Sequence, residues 1–300
     1  MADKPLTDWF DLPHRVLSLH GRDALEFAHA QFMSDVAALD ELHWQWSGWL
    51  TPKGRVVALF ALLKLGPERL WLLLPDADPG LLAEQLRRFV FRSRLEIAAP
   101  ALRVRGSFLR PQRALGARCD GLPMDDMVRV ELDMGTPSAP RTMLLSGLDP
   151  ATPDSITAGV DQSHAAQAWA RFDLAHGLPR LSPDQSGQWT PQMLSLDRLN
   201  AFSVSKGCYP GQEIVARTHF LGKAKRGLAR LRGAGVGQLD EVMQGDVSGP
   251  GVSMVKPIGQ VICAAEEEGL AVLPTPLPDS ALSTGGHACE VVPLLDGLAR

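Results

Sequence analysis

Apolar runs in this chain are short, and a glycine or proline closes most of them. There are 28 glycines and 23 prolines among 300 residues. Such punctuation favours turns and short strands over long helices. It is densest after Gly233, where VSMVKPIGQVICAA, GLAVLP and ACEVVPLL follow one another. That rhythm is the pattern of a small all-β barrel or sandwich. A boundary near Lys223 sets residues 223–300 apart from residues 1–222. A chain of 300 residues also exceeds the usual size of one domain. No fixed-period repeat is present.

The N-terminal part mixes helices and strands. Val16, Leu17 and Leu19 read as a strand ending at Gly21. Asp23 then caps a helix, with Glu26 placed for a capping box and Leu25, Ala28, His29 and Phe32 on one face. HWQWSGWLTPKGRVVALFALL reads as a hairpin about the turn TPKG, and RLWLLLPD as a further strand. In DPGLLAEQLRRFVFRS, Asp78 caps a helix, Pro79 fills its first turn, and Leu82, Leu86, Phe89 and Val90 form its apolar stripe. Residues 100–160 alternate short apolar pieces with breaks. Helices are expected from Asp161 to His176 and over TPQMLSLDRLNA, with Thr190 as cap and Pro191 first in the helix. EIVART and GLARLRG read as strands.

Composition excludes several classes. Hydrophobic content of 45%, charged content of 21% and a net charge of −4 describe an ordinary globular protein with no overall bias toward nucleic acid. The N-terminus lacks the apolar core of a secretion signal, and no apolar run is long enough to span a membrane. Cys119, Cys208, Cys263 and Cys289 lie far apart without a CxxC, so neither a disulfide framework nor a zinc site is indicated. Cytoplasmic residence and no metal site are the expectations. GxxxxGK[ST], HExxH and GxSxG are absent. GAGVGQ has Gln238 where a dinucleotide fingerprint needs its third glycine, and reads as a turn.

Three features invite a functional reading. Trp44 and Trp46 share one side of a strand, near Trp49. They form either core packing or a stacking wall for a planar ligand. Between Glu213 and Asp240 no acid offsets Arg217, Lys223, Lys225, Arg226, Arg230 and Arg232. That window is either a solvated basic face or a dock for an anion such as a polyglutamate tail, a phosphate or RNA. The third feature is KGCYPGQE, residues 206–213. Tyr209-Pro210-Gly211-Gln212 suits a type II turn, and Gly207 lets the backbone bend before the cysteine. A turn exposes Cys208, where most free cysteines are small buried hydrophobes, and Lys206 places positive charge near the thiol.

KGCYPGQE resembles K-G-C-[FY]-x-G-Q-E, the signature of the YgfZ family, folate-binding relatives of the aminomethyltransferase (T-protein) of the glycine cleavage system. SGQWTPQMLSLDRLNAFSVSKGCYPGQEIVARTHFLGKAKRGL resembles the family's central block. AHGLPRL, HGRDALEFAHAQFMSDV, TPKGRVVALF and PIGQVICAA fit as well. The resemblance implies an α+β, three-lobed T-protein-like cloverleaf: two α+β lobes, a C-terminal β-barrel, and tetrahydrofolate or a one-carbon derivative in a central channel. It implies support for the synthesis or repair of iron–sulfur clusters in client enzymes, including tRNA-modifying ones. Cys208 would be the functional thiol. Lys206, Gly207, Tyr209, Gly211, Gln212 and Glu213 would shape its turn, Arg217 and Arg226 would flank the anionic ligand, and Trp44 and Trp46 would line its pocket. T-proteins carry acids where this chain has Val57 and Ala58, and a glutamate where it has Ala175. Aminomethyl transfer is therefore the second reading. An RNA-binding regulatory module acting through residues 217–232 is the third, and no RNA-binding motif accompanies it.

Overall fold

The computed structural model describes residues 9–121, 123–124, 127–147, 162–222, 224–245 and 255–300. The expected helix start at Asp161 and the expected boundary at Lys223 lie outside them. In chain order, β1 (Phe10–Asp11) is followed by β2 (Arg15–His20), α1 (Ala24–Gln31), β3 (His43–Leu50), β4 (Val56–Gly66), β5 (Arg69–Leu74), α2 (Pro79–Arg87) and β6 (Glu96–Ala98). Next come β7 (Leu102–Ser107), β8 (Pro123–Met124), β9 (Met127–Asp133), β10 (Thr142–Gly147) and α3 (Gln162–Ala175). The remainder is α4 (Gln212–Leu221), β11 (Arg226–Arg232), β12 (Glu241–Gln244), β13 (Lys256–Ala265), β14 (Glu268–Pro274), β15 (Leu282–Thr284) and β16 (His287–Val292).

These elements make the three lobes of a T-protein-like α+β architecture. The first holds the sheet β3-β4-β5-β2-β6 with α1 and α2. The second is the sheet β1-β7-β10-β9-β8, with α3 packed between it and the barrel. The third is the closed barrel β11-β14-β13-β12-β15-β16 expected from the C-terminal punctuation. Closure leaves that unit no free sheet edge.

The long apolar run of β4 has a simple cause. Ala58, Phe60 and Leu62 pack toward α1 and α2, while Leu59, Ala61, Leu63 and Leu65 enter the large central core. Alternation with both faces covered gives continuous hydrophobicity along the strand. The central core also takes in Val130, Met143 and Leu145 from the second sheet, Ile262 and Val272 from the barrel, and Tyr209 and Val215 from the signature region. It therefore joins all three lobes.

Several local expectations are corrected. EIVART is not a strand: Gly211 has φ 79 and ψ 1 and passes directly into α4. The β-branched residues there read as strand, but the turn's exit sets the direction and only Val215 is buried. TPQMLSLDRLNA is not one helix. The Thr190 hydroxyl does accept from the Met193 N–H at 3.2 Å. However, Ser195 and Asn200 both take left-handed φ values, confining regular structure to a 3₁₀ turn at Leu196–Leu199. Asp23 precedes α1 without capping it, because its carboxylate accepts from the Arg94 N–H at 2.7 Å. The buried face of α1 is Ala24, Phe27 and Ala28, with Leu25 and His29 at its margin. Asp78 does cap α2, accepting from the Leu81 N–H at 2.9 Å. GAGVGQ is a turn between β11 and β12.

Candidate functional site

The signature loop is fixed by two glycines in contact. The Gln212 N–H donates to the Tyr209 carbonyl at 3.2 Å, closing the type II turn expected from Pro210-Gly211. The turn lies against the TPKG turn, itself closed by the Gly54 N–H to the Thr51 carbonyl at 2.9 Å. A β-carbon on Gly211 would come 2.6 Å from the Gly54 α-carbon and 2.7 Å from the Thr51 carbonyl oxygen. One on Gly54, at φ 67, would come 2.9 Å from the Ile214 β-carbon. Only glycine permits both the backbone angle and the approach. Gly207 differs from the sequence expectation. Its backbone is not left-handed, and a β-carbon there would find its nearest atom, His29 Nε2, at 3.9 Å.

Lys206 points inward. Its ammonium donates to the carbonyls of His29 and of Phe32, the latter at 2.5 Å, at the C-terminal end of α1. Positive charge suits that end of a helix. Burial pulls its pKa down to about 8, against the attraction of Asp35. The Tyr209 ring lies 4.8 Å from the ammonium. The tyrosine hydroxyl donates to the Ser203 carbonyl at 2.9 Å, and burial pushes its pKa up to about 12. Gln212 Nε2 donates to the Lys206 carbonyl at 3.0 Å. Lys206, Tyr209 and Gln212 thus fasten the loop, whereas Glu213 and Cys208 are exposed. Lys206 is engaged with α1 and is not a free charge beside the thiol. The Ala37 N–H donates to His29 Nδ1 at 3.2 Å, so a neutral ring keeps its proton on Nε2, on the Gly207 side. Burial, then Lys206, lowers the His29 pKa.

The four cysteines are sharply distinguished. Cys208 alone is exposed. Cys119 and Cys263 are buried, and desolvation pushes their thiols up to about 11 and about 12. Cys289 is half-buried and raised for the same reason.

The tryptophan pair is core. Trp44 and Trp46 are 0% and 3% exposed and meet edge to face at 5.2 Å. Their indole N–H groups donate to the carbonyls of Gly116 and Leu298, and the Arg300 guanidinium covers Trp44 at 5.1 Å. The C-terminal tail crosses back over this side of the first lobe, so no face is left for a ligand. The basic window is compensated in part. Arg230 and Arg232 both bind Glu268, at 2.6 and 2.8 Å, and Arg226 donates to the Ile258 carbonyl at 2.6 Å. Arg217 and Lys225 are exposed, and Lys223 lies outside the described residues.

A cavity of about 490 Å³ opens where the three lobes meet. Pro75 and Asp76 come from the end of β5, Leu12 from the second lobe, Trp169 from α3, Cys263 from β13, and Arg180 from the segment after α3. A second cavity of about 190 Å³ shares Asp76, Ala77, Ser182 and Pro183 with it and reaches Val57 and Ala58. No residue of 206–213 lines either cavity, nor do Trp44, Trp46, Ala175, Arg217 or Arg226. The signature loop and the interlobe cavities are thus separate features joined through β4.

The cavity wall carries an ion-pair network that sequence reasoning missed. Arg180 Nε donates to Asp76 Oδ1 at 2.7 Å, its Nη2 to the Pro75 carbonyl at 2.8 Å, and the Leu181 N–H to Asp76 Oδ2 at 3.0 Å. Arg180 also lies 3.7 Å from Asp173, which pairs at 2.8 Å with the fully buried Arg141. Arg141 is clamped between the rings of Trp169 and Phe172, 4.0 and 3.7 Å away. Burial pushes the Asp76 carboxyl up, opposed by Arg180. Asp76 reads in sequence as the polar end of a strand, and only the fold brings Arg180 to it. Among the described residues, no cluster of His, Cys, Asp and Glu is arranged for a metal ion, and no helix is long and apolar enough to cross a membrane.

No family model matches the chain. Similar curated proteins include the tRNA-modifying protein YgfZ of Serratia proteamaculans, 30% identical over 242 residues, covering 76% of this chain and 70% of that protein. The protein of the same name from Colwellia psychrerythraea is 29% identical over 238 residues, covering 77% and 71%. Among solved structures, the glycine cleavage system aminomethyltransferase T of Bartonella henselae superposes with a TM-score of 0.67 at 13% identity, covering 95% of this chain and 84% of that one. The latter likeness establishes the T-protein fold. The former, with the signature turn seated on the TPKG hairpin, establishes that this chain belongs to the YgfZ family.

Proposed function

We propose that this chain is a cytoplasmic, folate-binding accessory protein that supports tRNA modification. It acts through the synthesis or repair of iron–sulfur clusters in client enzymes, with Cys208 as its functional thiol. The observation that carries the reading is the interlobe cavity. Its volume of about 490 Å³ lies in the range of small-molecule sites. Its wall includes the buried indole of Trp169 and hydrogen-bonding groups at Asp76, Arg180 and Gln238, a mixed set of donors and acceptors that fits a pteridine ring with a polar tail. The names of the relatives supply the link to tRNA modification.

Aminomethyl transfer is less well supported. Val57 and Ala58 present no carboxylate to the smaller cavity. An aliphatic side chain neither accepts a proton nor stabilises a cationic amine. The RNA-binding reading is less well supported, because Glu268 holds Arg230 and Arg232.

Complementation of a strain lacking its own YgfZ-type protein tests the proposal. The wild-type chain should restore iron–sulfur-dependent tRNA thiolation. Cys208→Ser should fail to restore it while melting at the wild-type temperature. Full rescue by Cys208→Ser removes the thiol from the reading.

A further inference from the structure

Among the described residues, two carboxylates line the interlobe cavities, and they are not equivalent. Asp78 lines the smaller cavity. It caps α2 through the Leu81 N–H and binds Arg15 at 3.0 Å, with 43% of its side chain exposed. Asp76 lines both cavities at their shared wall, and its side chain is 21% exposed. Two donors hold it: Arg180 Nε on Oδ1 and the Leu181 N–H on Oδ2. Arg180 is itself anchored by the Pro75 carbonyl and faces Asp173, so the carboxylate cannot swing freely.

A carboxylate offers about four acceptor positions across its two oxygens. The protein fills one on each. A further acceptor position remains on each oxygen of a held group that lines both cavities. Two parallel acceptors match two parallel N–H donors, the geometry that makes paired charge-assisted hydrogen bonds specific. We propose that Asp76 is the specificity-determining acceptor of this site, receiving an N–H and an adjacent NH₂ from a 2-amino-4-oxopyrimidine ring edge. The inference rests on the folate reading of the cavity and deepens it. It states which edge of the ligand enters, and that the remainder of the molecule extends into the larger cavity.

The test measures binding of tetrahydrofolate and of its 2-desamino-2-methyl analogue by calorimetry at neutral pH. The two are compared in the wild-type chain and in Asp76→Asn, with melting temperatures taken in parallel. Removing the 2-amino group leaves one acceptor facing a methyl. The wild type should therefore prefer tetrahydrofolate about tenfold to a hundredfold, the loss expected for a hydrogen bond to a charged group. Asp76→Asn turns one acceptor into a donor. It should bind tetrahydrofolate more weakly by a similar factor and distinguish the two compounds by less than about threefold. A preference that survives in Asp76→Asn, or one below about threefold in the wild type, overturns the inference while leaving the folate reading in place. Binding of neither compound by the wild type overturns the folate reading and this inference together. Should Asp76→Asn melt below the assay temperature, the wild-type preference decides alone.

Discussion

Replacing Gly211 by alanine should destabilise this protein far more than replacing Gly207, although both glycines belong to the same eight-residue signature. Gly211 sits at φ 79, where an L-residue costs about 1–2 kcal/mol. Its new β-carbon would lie 2.6 Å from the Gly54 α-carbon, 2.7 Å from the Gly54 nitrogen and 2.7 Å from the Thr51 oxygen. These are backbone atoms that no rotamer change can move aside. Favourable carbon contacts lie at about 3.5–4.0 Å, so the signature turn and the TPKG turn must separate by about an ångström. Overpacking of that kind adds about 1–3 kcal/mol, giving a total of about 2–5 kcal/mol. At Gly207 the nearest atom is 3.9 Å away and the backbone is ordinary. Alanine there should change stability by less than about 1 kcal/mol, with reduced freedom of the unfolded chain acting in its favour. Urea unfolding followed by circular dichroism reads the difference as a shift in midpoint at constant slope. Gly54→Ala strains the same contact, so its cost and that of Gly211→Ala should not add in the double variant. A Gly211→Ala cost below about 1 kcal/mol, or one equal to Gly207→Ala, would refute the glycine-on-glycine account of the loop.

Two further outcomes are expected. Iodoacetamide at neutral pH should modify Cys208 before the other three cysteines in the folded protein, because Cys119 and Cys263 are buried with thiols pushed to about 11 and about 12. Peptide mapping that finds Cys119, Cys263 or Cys289 labelled first contradicts this. His14 is buried, its Nδ1 has no partner, and desolvation, then Arg180 and Arg141, holds its pKa well below 6.5. The unfolded chain therefore takes up a proton near pH 6.5 that the folded one refuses. Stability is full above that pH and falls on acidification, by up to about 1.4 kcal/mol per pH unit from this group. His14→Gln should flatten the stability profile between about pH 6.5 and 5, and an unchanged slope would show that His14 does not titrate this way.

What the sequence disclosed follows the range of the forces involved. The Tyr209–Gln212 turn, the Asp78 cap and the TPKG hairpin are local and were readable, because proline, glycine and aspartate act on neighbouring backbone. The barrel was readable from its spacing of short strands. Residues 102–147 were not, since β7 pairs with β1 and β10 and not with β8 or β9, the strands that follow it directly in the chain, a non-local pairing that local turn signals do not reveal. α4 was misread because Ile214 and Val215 favour a strand in isolation, whereas the turn before them and the contact of Ile214 with Gly54 decide otherwise. Trp44 and Trp46 were left between core and ligand wall, and the C-terminal tail that covers them lies some 250 residues away in sequence. Asp76 and Arg180 are likewise 104 residues apart, and no local signal joins them.

Tetrahydrofolate titration of tryptophan fluorescence in the wild type and in Trp169→Phe tests the central claim most directly. Trp169 is as buried as Trp44 and Trp46, but it borders the interlobe cavity and they line neither interlobe cavity. The wild type should give a saturable change with a dissociation constant in the micromolar range, about −8 kcal/mol. Most of that signal should vanish in Trp169→Phe, while calorimetry still detects binding. No saturable change or heat up to millimolar ligand would contradict a folate site in this protein. A full signal in Trp169→Phe would place the ligand elsewhere than the cavity between the lobes.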